Sequence, residues 1–153
     1  MTHTNGDPER LQVGADELIV RVRSDETDGA LFAAEVQMEP GGGPPAMHRH
    51  APGELYHVLQ GEFAFYIADD AGTVHRTAAA AGAVVPIAGG RSHTIRNESG
   101  AEAKAFVVYV PGEQMERFAR AAAGLAADDA TRMEDVLALA ERHGIEMTGP
   151  VSP

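Results

Sequence analysis

The chain contains no cysteine and no tryptophan. Without cysteine there is no disulfide framework and no thiolate to bind metal, so any metal must be held by histidine and carboxylate groups. Basic charge is scarce: 12 Lys and Arg stand against 23 Asp and Glu, for a net charge of -11. Lysine occurs once, at Lys104. Such a surface repels phosphate backbones and anionic lipid, so neither nucleic acid nor a membrane is expected as a partner. No apolar run approaches membrane-spanning length. Met1 to Arg10 lacks the apolar centre of a secretory signal, and the expected location is the cytoplasm.

What is present fits one domain. The 153 residues are 44% hydrophobic but only 5% aromatic, so the core must be largely aliphatic. Gly at 17 and Pro at 9 imply many turns and short strands. Period-2 alternation and apolar runs predict strands at Glu17 to Arg23, Leu31 to Met38, His48 to His50, Leu55 to Leu59 and Glu62 to Ala68. Further strands are predicted at Val74 to Ala78, Ala83 to Ile87, His93 to Arg96 and Ala103 to Val110. Turn signals separate them, among them Pro52-Gly53, Gln60-Gly61, Gly82 and Gly89-Gly90. After Pro111-Gly112 the period becomes helical. Met115, Phe118, Ala122 and Leu125 share one face of a first helix, with Gly124 near its end. Met133, Val136, Leu137 and Ala140 share a face of a second. Thr131 with Glu134 matches a capping box, and Arg142, His143 and Gly144 suit the helix end. The reading is therefore all-β with two C-terminal α-helices: a flexible tail over 1–10, a barrel over 11–112, and a helical extension over 113–153 packed on the outside of the barrel, its last residues extended.

The chemistry concentrates between Gly42 and Gly61. His48 and His50 are two apart on a predicted strand, so both imidazoles point to the same face. Pro52-Gly53 turns the chain, and Glu54 opens the next strand, expected beside the first, with its carboxylate aimed at the same interior. His93 follows the Gly89-Gly90 turn. Three imidazoles and one carboxylate would converge as the ligands of one divalent transition metal (Fe, Ni, Mn, Co, Cu or Zn), with positions left for water, dioxygen or a chelating substrate.

These residues carry a family resemblance. Gly42, His48, His50, Glu54 and Gly61 occupy every fixed position of the first cupin motif. Gly82, Gly90, His93 and Asn97 match the second, with Ala88 where the motif has proline. The chain thus resembles the cupin superfamily, which implies a double-stranded β-helix, or jelly-roll barrel, around the metal. Its helical ending is similar to that of small bacterial cupins akin to quercetin dioxygenases. That likeness implies a metal-dependent oxidoreductase, a dioxygenase acting on a small phenolic, flavonol-like or diketone-like substrate that chelates the metal, with Glu54 as ligand and base. Two alternatives stay open: a redox-neutral isomerase or cyclase, and a non-catalytic small-ligand binder. Tyr56 shares the predicted face of Glu54 and is a second catalytic candidate. His57 falls on the opposite face and is read as outer surface; His75 is read as exposed, and Asn97 as a turn stabiliser. Phe32, Met38, Met47, Phe65 and Tyr109 are core candidates. A small barrel with open sheet edges is expected to form a homodimer.

Overall fold

The computed structural model describes residues 7–126 and 132–151. Eleven strands and two helices follow in chain order: β1 (Arg10–Val13), β2 (Asp16–Val22), β3 (Phe32–Met38), β4 (Ala46–Arg49), β5 (Gly53–Gln60), β6 (Glu62–Ala68), β7 (Val74–Ala80), β8 (Val84–Ile87), β9 (His93–Arg96), β10 (Ala103–Val110), α1 (Glu113–Ala126), α2 (Met133–Arg142) and β11 (Glu146–Pro150). The strands form two antiparallel sheets, in the orders β1-β2-β3-β10-β5-β8 and β11-β4-β9-β6-β7. This is the expected double-stranded β-helix. No helix among the described residues is long and apolar enough to cross a membrane.

Alternation explains which side of each strand is core. In β5, Glu54, Tyr56 and Val58 are buried while Leu55, His57 and Leu59 are exposed. In β10, Ala103, Ala105, Val107 and Tyr109 face inward. Phe32, Phe63 and Phe65 are fully buried between the sheets, each worth roughly 1.5–3 kcal/mol of apolar burial. Gly61 turns β5 into β6 at φ +74°, a left-handed conformation that glycine adopts without strain.

Three expectations change. First, Glu9 and Arg10 are structured, although their polarity placed them in the tail. The Glu9 carbonyl accepts the Val20 N–H, its carboxylate pairs with Arg120 at 2.6 Å, and Arg10 opens β1. Residues 1–6 of that tail lie outside the described residues. Second, the chain after α2 is a paired strand: β11 adds to the edge of β4, and Arg49 on β4 bridges Glu146 at 2.9 Å. Gly149-Pro150 hid this strand, because both residues are poor strand formers except at an edge. Third, the helices contribute to the cavity, a role their amphipathic pattern did not name. Met115 and Phe118 of α1 and Met133, Val136 and Leu137 of α2 line the cavity inside the barrel's mouth. The helices roof the barrel because their apolar faces can bury against its open end. Of the proposed capping box, Thr131 lies outside the described residues; α2 starts with the Arg132 N–H donating to Asp135 Oδ2 at 3.0 Å.

Candidate metal centre and cavity

His48 and His93 are direct partners in the register between β4 and β9. Their rings lie 4.6 Å apart, centroid to centroid. His50 follows β4 on the same side, 5.1 Å from the His93 ring. The metal-binding nitrogens of His48, His50 and His93 all lie within 4.8 Å of one another. The His-x-His spacing and the cross-strand pair thus gather three imidazoles onto the smaller sheet.

Glu54 comes from elsewhere. β5 does not pair with β4, as expected from sequence, but lies in the larger sheet. Pro52-Gly53 is a corner that crosses the barrel, so the carboxylate reaches the imidazoles from the facing wall. Its Oε1 lies 2.6 Å from His93 Nε2 and 2.7 Å from His50 Nε2. His50, Glu54 and His93 are buried, while His48 is partly accessible.

Three backbone carbonyls orient the rings. The Nδ1 atoms of His48, His50 and His93 face the carbonyls of Ala46 (3.2 Å), Pro52 (2.9 Å) and Arg91 (2.7 Å). A carbonyl can only accept, so each Nδ1 carries the proton and each neutral ring turns an Nε2 lone pair toward the centre. Lone pairs then face a carboxylate oxygen. The conflict is plainest at His50, whose buried Nε2 makes no hydrogen bond although Glu54 Oε1 is near. A cation at the centre satisfies all of these groups. The donor set therefore fits a divalent metal, and carbonyl-oriented histidines are the usual outer support of one.

The electrostatics agree at His48; at His93 and Glu54 they show a mutual attraction that a bound cation would replace. Burial and the nearby His93 push the His48 pKa down to about 4, keeping it neutral. Burial would raise the Glu54 carboxyl, but its close approach to His50 and His93 holds it well below the usual carboxylate range. For His93, burial opposes the imidazolium, but the adjacent Glu54 outweighs it, so its pKa is raised, and without a cation its Nε2 can carry a proton toward Glu54.

Tyr56, the other catalytic candidate, is buried on the face of Glu54 and lines the same cavity, edge-on to Phe65. Burial and the Glu54 charge raise its pKa well above the ordinary phenol value, so it stays a neutral donor. His57 and His75 are exposed, as read. Asn97 is buried and ties its turn, with its amide donating to the carbonyls of Met38 and Ala101, both at 2.8 Å.

Two further groups border the cavity. Tyr109 sits opposite Glu54 in the β10–β5 register and stacks on Phe32 at 6.0 Å. Asp16 was not singled out from sequence. It opens β2, and strand alternation puts it on the side of the buried Leu18 and Val20. An aspartate beside a tight Gly14-Ala15 turn looks like ordinary turn chemistry, so no sequence signal distinguished it. The cavity measures about 140 Å³ and is otherwise lined mainly by apolar residues, including Met38, Met115, Met133 and Met147.

Burial pushes the Asp16 carboxyl up to about 6, against the Gly43 N–H and the Arg96 charge, which pull it down. A raised acid keeps its proton in the folded state after the unfolded chain has released it, so this group makes stability fall as pH rises from about 4 to about 6. Asp16→Asn should remove that loss. Urea unfolding should show the variant's advantage over wild type growing by roughly 1–3 kcal/mol across this window. A difference independent of pH would contradict the burial.

Residues 34–109 match the family model described as a cupin domain. A search of curated proteins gives no match. Similar solved structures include a protein described as a predicted oxalate decarboxylase from Thermotoga maritima, 24% identical over 67% of this chain and 90% of that one, with TM-score 0.55. An RmlC-like cupin from Shewanella frigidimarina is 14% identical over 74% of this chain and 93% of that one, with TM-score 0.59. A variant of oxalate decarboxylase from Bacillus subtilis is 16% identical over 94% of this chain and 41% of that one, with TM-score 0.61. At these identities the likeness to solved structures establishes the fold alone.

Proposed function

The chain carries a cupin domain, and from that premise we propose that it is a metal-dependent oxidoreductase, a dioxygenase for a small substrate that chelates the metal through adjacent oxygens. The observation that carries this reading is the set of three carbonyl-oriented Nε2 lone pairs facing a buried carboxylate at the inner wall of an apolar cavity. His48, His50 and His93 would hold one divalent transition metal, with Glu54 beside them. Such an ion, when bound, supplies Lewis acidity to a chelating hydroxyl and, if redox-active, the means to use dioxygen.

The remaining work falls to the protein's own groups. Glu54, ionised across the working pH range, accepts the proton of the bound hydroxyl. Tyr56 donates toward Glu54 and the substrate oxygen. The apolar helix residues lining the cavity reduce water around the site, which strengthens these interactions. Cavity size favours one-ring phenols and short diketones over three-ring flavonols, since a cavity of about 150 Å³ accommodates benzene. Oxalate, named for some of the structural neighbours, suits this cavity poorly: no Lys or Arg is among its lining residues to meet a dianion.

The test is oxygen consumption by Fe-, Ni-, Co- or Mn-loaded protein with catechols, β-diketones and flavonols. No uptake with any pairing would remove the dioxygenase reading. Substrate loss without oxygen uptake, in protein that purifies with Zn, would instead support an isomerase or cyclase.

We also expect a homodimer. Four of the five exposed large hydrophobic residues among those described, Leu55, Leu59, Val84 and Val110, lie on the neighbouring strands β8, β5 and β10, and β8 is a sheet edge. Covering them with a second copy removes an apolar patch from water. Val84→Glu should convert dimer to monomer in sedimentation velocity; a wild-type monomer would exclude the assembly.

A further inference from the structure

We propose that the Asp16 carboxylate is a second recognition point in the cavity, accepting a hydrogen bond from a hydroxyl or ammonium group on the part of the ligand remote from its chelating oxygens. This rests on the chelation reading above and deepens it, adding to the substrate class a donor group at a fixed place.

Asp16 lies on β2, which is separated from the Glu54 strand by β3 and β10. Yet Asp16, His48, His50 and Glu54 all line one cavity. The Asp16 Oδ1 atom is buried and has no hydrogen-bond partner among the described residues. The nearby cation does not serve it: the Arg96 guanidinium donates to the carbonyls of Gly43 and Gly41. Glu17, the next residue, points outward and pairs with Arg10 at 2.5 Å, so the β1–β2 hairpin has its ion pair without Asp16. The loop makes room for the carboxylate. A Cβ on Gly42 would fall 2.8 Å from Oδ1, closer than such atoms approach.

The Gly43 N–H serves the Asp16 carboxyl but leaves Oδ1 without a donor, and an unpaired buried carboxylate oxygen costs free energy that a ligand donor would recover. Polar groups left unsatisfied in an apolar cavity are where a ligand gains orientation. Burial raises the Tyr109 phenol, and the charges of both Glu54 and Asp16 add to that rise. The cavity thus has a chelating end, a phenol in its wall and an acceptor at a distance. A ligand with chelating oxygens at one end and a donor at the other satisfies both.

The experiment uses full-length Zn-loaded protein near pH 8, about two units above the Asp16 pKa, and two catechols of similar size. Dopamine carries an ammonium opposite its chelating oxygens; 4-ethylcatechol does not. Titration calorimetry should show dopamine binding at least about tenfold more tightly, as a charge-assisted hydrogen bond implies. Asp16→Asn should bring that ratio to about one, leave 4-ethylcatechol affinity unchanged, and leave the melting temperature equal or higher. A wild-type ratio near one, or a ratio that survives in Asp16→Asn, overturns this inference alone. The wild-type ratio decides the matter even if the variant folds poorly. Failure of 4-ethylcatechol to bind Zn-loaded protein overturns the chelation reading, and this inference with it.

Discussion

Replacing His93 by alanine should take bound divalent metal from about one ion per chain to almost none. His93 is one of the three imidazoles gathered at the centre, and it stands directly opposite His48 in the sheet. Removing it leaves two nitrogens from one short segment, a weak site for any first-row ion. It also strips Glu54 of a partner 2.6 Å away, leaving a buried carboxylate underpaired. Metal analysis of protein purified without an affinity chelator reads the first effect. Thermal unfolding reads a second: saturating metal at about 1,000 times its Kd should stabilise wild type by about 4 kcal/mol, and His93→Ala by almost nothing. A chelator should erase the wild-type gain. A variant that retains one tightly held ion would show that the imidazole cluster is not the binding site.

Glu54→Gln should separate two roles that one carboxylate can play. Glutamine keeps the size and one carbonyl oxygen but cannot accept a proton at working pH. The three histidines are held by their own backbone carbonyls, not by Glu54. The variant should therefore keep its metal while turnover falls by about 10²–10⁴, the usual contribution of a positioned base. Metal content and turnover are measured on the same sample. Loss of metal together with turnover would make Glu54 a ligand first; full turnover with metal retained would deny it the role of base.

Much of the fold was legible because it depends on local patterning. Strand alternation in Ala103 to Val110 marks inward positions residue by residue, whereas in Glu62 to Ala68 Ala64 is buried along with Phe63 and Phe65, and the turn glycines divide the strands. Strand pairing across the barrel was not legible. Sequence placed Glu54 beside the histidine strand, since a Pro-Gly turn suggests adjacency, whereas the chain there changes sheets. Arg10–Val13 and Glu146–Pro150 escaped notice because each is short and polar or broken by Gly-Pro, and exists only by pairing with β2 and with β4. The helices were visible as amphipathic segments, but amphipathicity names a buried face and not what buries it.

The same division runs through the site. Sequence alone determined that His48 and His50 share a face and that His93 opens a strand, because alternation with period two is a property of any β backbone. It also excluded thiolate ligands. Only tertiary structure decided that Glu54 approaches from the facing sheet, that helix residues line an apolar cavity beside the imidazoles, and that Asp16 borders it without a partner for Oδ1 among the described residues. Those facts depend on contacts between residues far apart in the chain, and no local pattern encodes which distant surfaces meet.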